Sequence, residues 1–217
     1  MKIIKSSFKI EDPVGLLSGL DMLARIEKAG RTCYKSEYKM TPDSSKKFVK
    51  GLIDKGHESV LEHEKITVRI ICPRSISHEL VRHRIASFSM ESSRFCDYSK
   101  NRFGNELTFI CPSLGFNWDP ITTGLYIIWE DSMKQVEQNY FELIAYGATP
   151  QEAATVLPNS LKTELVITAN IREWRTILKQ RTTKAAHPQM REIMIPLLKE
   201  FQHKFPVFFD DIIGENK

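Results

Sequence analysis

An α+β fold in a single domain spanning residues 1–217 is the expectation from this sequence, with a small, mostly antiparallel sheet packed by several helices, one of them long. Three observations carry it. Strictly alternating apolar segments are few and short, and stretches of helical apolar spacing separate them. One helical stretch is long, running from Asp119 to Gly147. No internal repeat, low-complexity tract or linker divides the chain.

Composition sets the outer limits. With 41% apolar and 27% charged residues the chain is globular and long enough for a sizeable core. A formal charge of +4 favours anionic ligands only weakly and is too small to argue for a nucleic-acid partner. No apolar run approaches the roughly 18 residues a membrane helix needs, and Met1 to Lys5 lacks the pattern of a signal peptide. Cys33, Cys72, Cys96 and Cys111 form no Cys-x-x-Cys pair, so neither a disulfide framework nor a thiolate metal site is indicated, and a reducing cytoplasm is the simplest compartment.

Taken in order, Asp12-Pro13 pairs an N-cap with proline at the first helical position and opens a helix carrying Leu16, Leu17, Leu20, Leu23 and Ile26, ending near Gly30. Thr41-Pro42-Asp43 starts a second helix with Phe48, Val49, Leu52 and Ile53 on one stripe and Gly56 as its stop. Ile66, Val68 and Ile70 alternate with Thr67 and Arg69 as a half-buried strand that Pro73 ends. Ser75 caps a short helix bearing Ile76, Leu80 and Val81, with Arg82, His83 and Arg84 fanning outward on its last turn. Ser87 to Arg94 form a loop or edge strand, and Leu107, Phe109 and Cys111 alternate as a second strand before Pro112. The long helix opens at Asp119-Pro120 and carries Leu125, Ile128, Met133, Val136, Tyr140, Leu143 and Ile144. Thr149-Pro150-Gln151-Glu152 is a capping box. Leu161, Thr163, Leu165 and Ile167 alternate as a third strand, Asn170 caps the helix of Ile171, Trp174, Ile177 and Leu178, and His187-Pro188 opens a last helix that Pro196 kinks.

The chemistry concentrates between Arg82 and Arg94. Arg82, His83 and Arg84 are consecutive, Arg94 closes the segment, and Ser87, Ser89, Ser92 and Ser93 lie between, with Glu91 the single acid. Guanidinium forks and hydroxyls of this kind match phosphate oxygens, whereas an ordinary solvated face, the plainer reading, would alternate its charges. His57 and His63, with Glu58 and Glu62 beside them, invite a metal reading, but they stand six apart across a helix end and not four apart on one helix. A second group, Asn170, Arg172, Arg175, Arg181 and His187, reads either as the polar face of an amphipathic helix or as a ligand site; Arg175 fits the former, and Arg181, in a turn-like polar segment, fits the latter.

The spacing Arg82-His83-Arg84, two residues, Ser87, four residues, Ser92, one residue, Arg94 resembles the signature of the flavin-dependent thymidylate synthases. Gly56-His57 followed by Glu62-His63, and the stretch from Val156 to Ile193, resemble the corresponding parts of the same family. The resemblance implies reductive methylation of dUMP to dTMP, with methylenetetrahydrofolate as carbon donor and NADPH as reductant acting through bound FAD. It implies FAD contacts at Ser59, Arg82, His83, Arg84, Asn170, Arg172, Thr176 and His187. It implies dUMP contacts at Glu79, Arg82, Met90, Glu91, Ser92, Ser93, Arg94 and Arg181, with Arg181 activating the uracil ring and His57 facing the reaction. It also implies a homotetramer with sites built across subunits. The sequence departs from the family pattern at Ser89 and Met90, where asparagine and glutamate are usual, at Thr176, where a larger residue is usual, and at Ala154, where an arginine is usual and Lys162 is a candidate substitute.

Two other classes stay open at this stage. A non-catalytic nucleotide- or RNA-binding module would use the same arginines but would want exposed aromatic residues among them for stacking. A metal-dependent hydrolase of nucleotides would need a cluster of acids.

Overall fold

The structure, a computed structural model, describes residues 1–12, 19–112, 116, 118 and 124–214. The helix starts expected at Pro13 and at Asp119-Pro120 lie outside these residues. The α+β class and the long helix are as expected. Among the described residues the strands are β1 (Lys2–Ile4), β2 (Ser7–Ile10), β3 (Lys65–Pro73), β4 (Ala86–Met90), β5 (Thr108–Ile110) and β6 (Lys162–Asn170). The helices are α1 (Gly19–Thr32), α2 (Ser44–Asp54), α3 (Arg74–Leu80), α4 (Gly124–Ala145), α5 (Pro150–Ala153), α6 (Ile171–Arg181), α7 (Pro188–Lys204) and α8 (Pro206–Phe209). No helix among the described residues is long and apolar enough to cross a membrane.

A four-stranded sheet runs in the order β2-β3-β6-β4, and β1 pairs with β5 in parallel as a separate two-stranded sheet. The bonds Arg74 N–H to Leu161 carbonyl and Ile171 N–H to Glu64 carbonyl sit at opposite ends of β3 and β6, which makes that central pair antiparallel. Alternation is strict on both strands: Ile66, Val68, Ile70 and Cys72 on β3, and Thr163, Leu165, Ile167 and Ala169 on β6, are buried. Neither β1 nor β2 was expected. They are three and four residues long, too short to show a period, and β1 finds its partner only at Thr108.

By its internal contacts the chain forms two compact units. The first comprises Met1–Phe8, Ile70–Arg82 and Phe88–Val166. Its core is Tyr98, Leu107, Phe109, Met133, Tyr140, Ala153 and Leu161, with the Tyr98 and Tyr140 rings edge to face at 5.9 Å. The second comprises Lys9–Arg69, His83–Ser87 and Ile167–Lys217. Its core takes Met22 and Ile26 from α1, Val49 from α2, Trp174 and Leu178 from α6, Met194 and Leu197 from α7, and Phe209 from α8. Trp174 packs edge to face on Phe201 and donates its indole N–H to the Ile66 carbonyl at 2.8 Å, satisfying the one polar atom a buried tryptophan carries.

Two local expectations are corrected. Helix α3 starts directly after Pro73, so Ser75 is not its cap. It also ends at Leu80, so Arg82 to Arg84 lie in the turn beyond it and not on its last turn.

Candidate active site

Helix α2 ends in a pair of bonds that sets the direction of the next segment. Gly56, at φ +70°, donates to the Ile53 carbonyl at 2.9 Å, and His57 N–H reaches back to the Leu52 carbonyl at 2.8 Å. This is the Schellman arrangement, and it needs a residue that enters the left-handed region without steric cost. It leaves His57 exposed at the start of a 3-10 turn, Glu58–His63, on which Ser59 is exposed as well.

That turn is pinned from beneath. Arg175 is 1% exposed, which overturns its reading as a surface residue of the helix. Its guanidinium donates to both carboxylate oxygens of Asp211 at 2.6 and 2.7 Å, to Glu58 at 3.0 Å and to the Phe208 carbonyl. A cation this deep is tolerated because its donors are met by two carboxylates and a carbonyl. At the other end of the turn Glu62 accepts from exposed Arg172 at 2.6 Å.

The segment after α3 sorts its three basic residues by burial. Arg82 and Arg84 are exposed, while His83 is 8% exposed. Its Nε2 accepts from Arg181 Nε at 3.0 Å, and its Nδ1 faces the Glu173 carboxylate at 3.6 Å. Burial, aided by the Arg181 charge, lowers the His83 pKa to about 4, and burial raises the Glu173 carboxyl above its ordinary value. The imidazole is therefore neutral at pH 7. Two residues on, Ile85 holds φ +65° with 73% of its surface exposed. A branched apolar side chain in the left-handed region and in water is unfavourable on both counts, and such strain concentrates at ligand sites.

Ile85 is one wall of a cleft of about 270 Å³ whose other walls are Glu62, Asn170, Arg172, Glu173 and Thr176. Asn170 caps α6 by accepting from Glu173 N–H at 2.8 Å, which keeps its carbonyl oxygen occupied. His187 plays the same part for α7, its Nδ1 accepting from Gln189 N–H at 3.2 Å.

Within the first unit, Glu79 is half-buried and its carbonyl accepts from Arg82 N–H at 3.3 Å. Met90 is exposed at the end of β4. Glu91 accepts from Lys162 at 2.6 Å and from the Tyr98 hydroxyl at 3.0 Å. Burial, with the Glu91 charge beside it, pushes the Tyr98 phenol well above its usual range. Half-buried Ser92 and Ser93 lie in the turn that follows, where the Ser92 carbonyl accepts from Cys96 N–H at 2.9 Å. Arg94 is exposed, bonded to Gln151 at 2.7 Å and stacked on Phe95.

The structure thus gathers Asn170, Arg172 and Thr176 around one cleft and joins His83 to Arg181. Sequence reasoning missed Glu62, Ile85 and Glu173 as cleft walls and Lys162 as the partner of Glu91. Helical spacing was a usable signal for Glu173, one residue from Arg172 and three from Thr176. Ile85 had none, because its exposure depends on a backbone angle.

Residues 16–207 match the family model described as thymidylate synthase complementing protein. The chain is 32% identical over 202 residues to a flavin-dependent thymidylate synthase of Corynebacterium aurimucosum, covering 87% of this chain and 79% of that protein. It is 33% identical over 215 residues to a probable flavin-dependent thymidylate synthase of Mycobacterium phage L5, covering 94% and 85% respectively. Against a flavin-dependent thymidylate synthase of Mycobacterium avium the identity is 32% over 206 residues, covering 87% and 78%.

Proposed function

The chain belongs to the thymidylate synthase complementing protein family, and from that membership we propose the chemistry of its site as follows. The protein is a flavin-dependent thymidylate synthase that forms dTMP from dUMP. Methylenetetrahydrofolate donates the carbon, NADPH is the reductant, and FAD, when bound, supplies the hydride chemistry.

The observation that carries the assignment of residues is the cleft between Ile85 and the N-terminal turns of α6. Its walls suit a flavin ring: an apolar side chain for the ring face, and an amide, a hydroxyl and a guanidinium for the polar edge. Two carboxylates on the same walls favour an uncharged ring there over phosphate. Exposed Arg82 and Arg84 hold the phosphates, and Ser59 and His187 complete the cofactor's surroundings.

The nucleotide is held by Glu79, Arg82, Arg181 and the segment Met90 to Arg94. Glu91 of that segment accepts from Lys162 and from the Tyr98 hydroxyl, which holds Lys162 beside the segment as the candidate substitute for the family arginine absent at Ala154. Arg181 presents a cation to the uracil carbonyls, which stabilises charge as it builds on the ring. His57, exposed on its turn, faces the incoming reductant or folate.

The enzyme works in the cytoplasm as a homotetramer with sites shared between subunits. A cleft of about 270 Å³ admits a ring system but not a whole dinucleotide, and Leu125, Ile127 and Ile128 on α4 are exposed apolar residues suited to a subunit contact. The test is anaerobic: NADPH should bleach the bound flavin, dUMP should change the rate, and adding the folate should yield dTMP. A purified protein that binds no flavin, or one whose reduced flavin forms no dTMP, overturns this reading.

A further inference from the structure

We propose that His83 and Glu173 are positioning residues for Arg181: His83 holds the arginine by its Nε, and Glu173 keeps the imidazole proton on Nδ1. The proposal rests on the assignment of Arg181 to the uracil ring and deepens it.

The chemistry of the pair fixes the state of each group. Arginine Nε can only donate, so the nitrogen it meets at 3.0 Å must carry a lone pair. A neutral imidazole offers that at Nε2 only if its proton sits on Nδ1. The alternative tautomer would set two N–H groups against each other, and an imidazolium would add a second cation in a pocket where only 8% of the residue is exposed. Glu173 selects between the tautomers. At 3.6 Å its carboxylate and Nδ1 form an electrostatic pair and not a hydrogen bond, yet a carboxylate there disfavours a lone pair on Nδ1 and favours a proton.

The geometry gives the relay its purpose. Glu173 lies in the first turn of α6 and Arg181 in the last, where the helix dipole favours an acid and a base respectively. His83, arriving from the turn after α3, bridges them. A bond through Nε lies in the guanidinium plane, so it fixes the orientation of Nη1 and Nη2 about the Cδ–Nε axis. A long, flexible side chain is thereby turned into an oriented fork, which is what recognition of two flanking carbonyls requires. Glu173 also walls the cleft assigned to the flavin ring, so one carboxylate borders both the cofactor and the arginine's support.

The decisive measurement is a double-mutant cycle on dTMP formation with His83→Leu, Arg181→Ala and the pair, alongside His83→Gln and Glu173→Gln. His83→Leu should lower kcat and kcat/KM together by about a hundredfold, as expected for an ångström-scale misplacement. His83→Gln, which keeps an acceptor near the position of Nε2, should recover most of the loss, and His83→Leu should add nothing in the Arg181→Ala background. Glu173→Gln should cost about tenfold, less than removing the imidazole because the direct bond survives. Flavin content should be unchanged in His83→Leu, His83→Gln and Arg181→Ala. Multiplicative losses in the cycle, or a His83→Leu defect matched by loss of flavin, would overturn the proposal. The bond itself is read without turnover: the Arg181 Nε–H signal in 15N spectra should exchange slowly with water in the parent protein and rapidly in His83→Leu. A parent protein that makes no dTMP defeats the proposed function, whereas rapid exchange in the parent defeats the relay.

Discussion

Acid should destabilise this protein through His83 before its ordinary carboxylates titrate. The folded imidazole has a pKa of about 4, against about 6.5 for a histidine in an unfolded chain. Its folded value is depressed, so its contribution to stability is complete above about pH 6.5. It falls as the unfolded chain takes up a proton that the folded chain refuses, and it is exhausted near pH 4, where both states are protonated. A gap of about 2.5 on the pH scale, at 1.36 kcal/mol each, amounts to on the order of 3 kcal/mol across the window and about 2 kcal/mol by pH 5. The charged groups facing the ring are Arg181, which opposes protonation, and Glu173, whose raised carboxyl contributes in the opposite sense as pH falls. Asp211 and Asp97, both held below their ordinary range, contribute only lower down. The comparison is therefore between the parent and His83→Gln, which cannot titrate, in urea unfolding at fixed protein concentration from pH 7.5 to 4.5. The difference in unfolding free energy should move in favour of His83→Gln by roughly 2 kcal/mol between pH 7 and pH 5. A flat difference would show that the folded imidazole is not shielded from protons, and the argument from its burial would fail.

Arg84→Ala removes one charge-assisted pair and should weaken flavin retention about ten- to a hundredfold while leaving the unfolding midpoint nearly unchanged, since the side chain is exposed; spectroscopic flavin content against melting temperature checks both. Ile85→Gly should raise stability by about 1 kcal/mol by releasing a strained angle, yet lower flavin occupancy by removing a cleft wall, a divergence visible in parallel melting and flavin titrations. Arg175→Met removes the buried cation shared by Glu58 and half-exposed Asp211 and should cost about 1 to 3 kcal/mol, read as a lowered urea midpoint; an unchanged midpoint would mean water already serves those carboxylates.

Much of this architecture is legible locally, and the reason is that its signals are short-range. The stop at Gly56, the box at Thr149, the caps at Asn170 and His187 and the alternation of β3 and β6 each depend on residues a few positions apart. What escaped depends on partners far along the chain. His83 is buried because it meets Arg181, 98 positions away, and Arg175 because it meets Glu58, 117 positions away. On helical spacing alone either looks like a solvated charge. The end of α3 was overrun for a similar reason: Arg82 to Arg84 suit a helix, and the turn is fixed instead by the left-handed Ile85, which no local pattern announces.

The balance of charge across α6 follows from these same placements. A dinucleotide cofactor carries its charge on two phosphates and little on its ring, so a site serving both ends must be basic at one and near neutral at the other. On the cleft, Glu62 is offset by Arg172 at 2.6 Å, so the walls carry no more than the single charge of Glu173. The walls around Ile85 thus approach neutrality without becoming apolar, which lets a ring with amide-like edges bind without repelling it. The uncompensated charge is displaced to exposed Arg82 and Arg84, on either side of a histidine that turns inward. Alternating outward and inward along three consecutive basic residues leaves two guanidiniums exposed, as the proposed phosphate contacts require, while the histidine between them accepts from Arg181. Had all three pointed outward, Arg181 Nε would lose the acceptor it meets at 3.0 Å in His83.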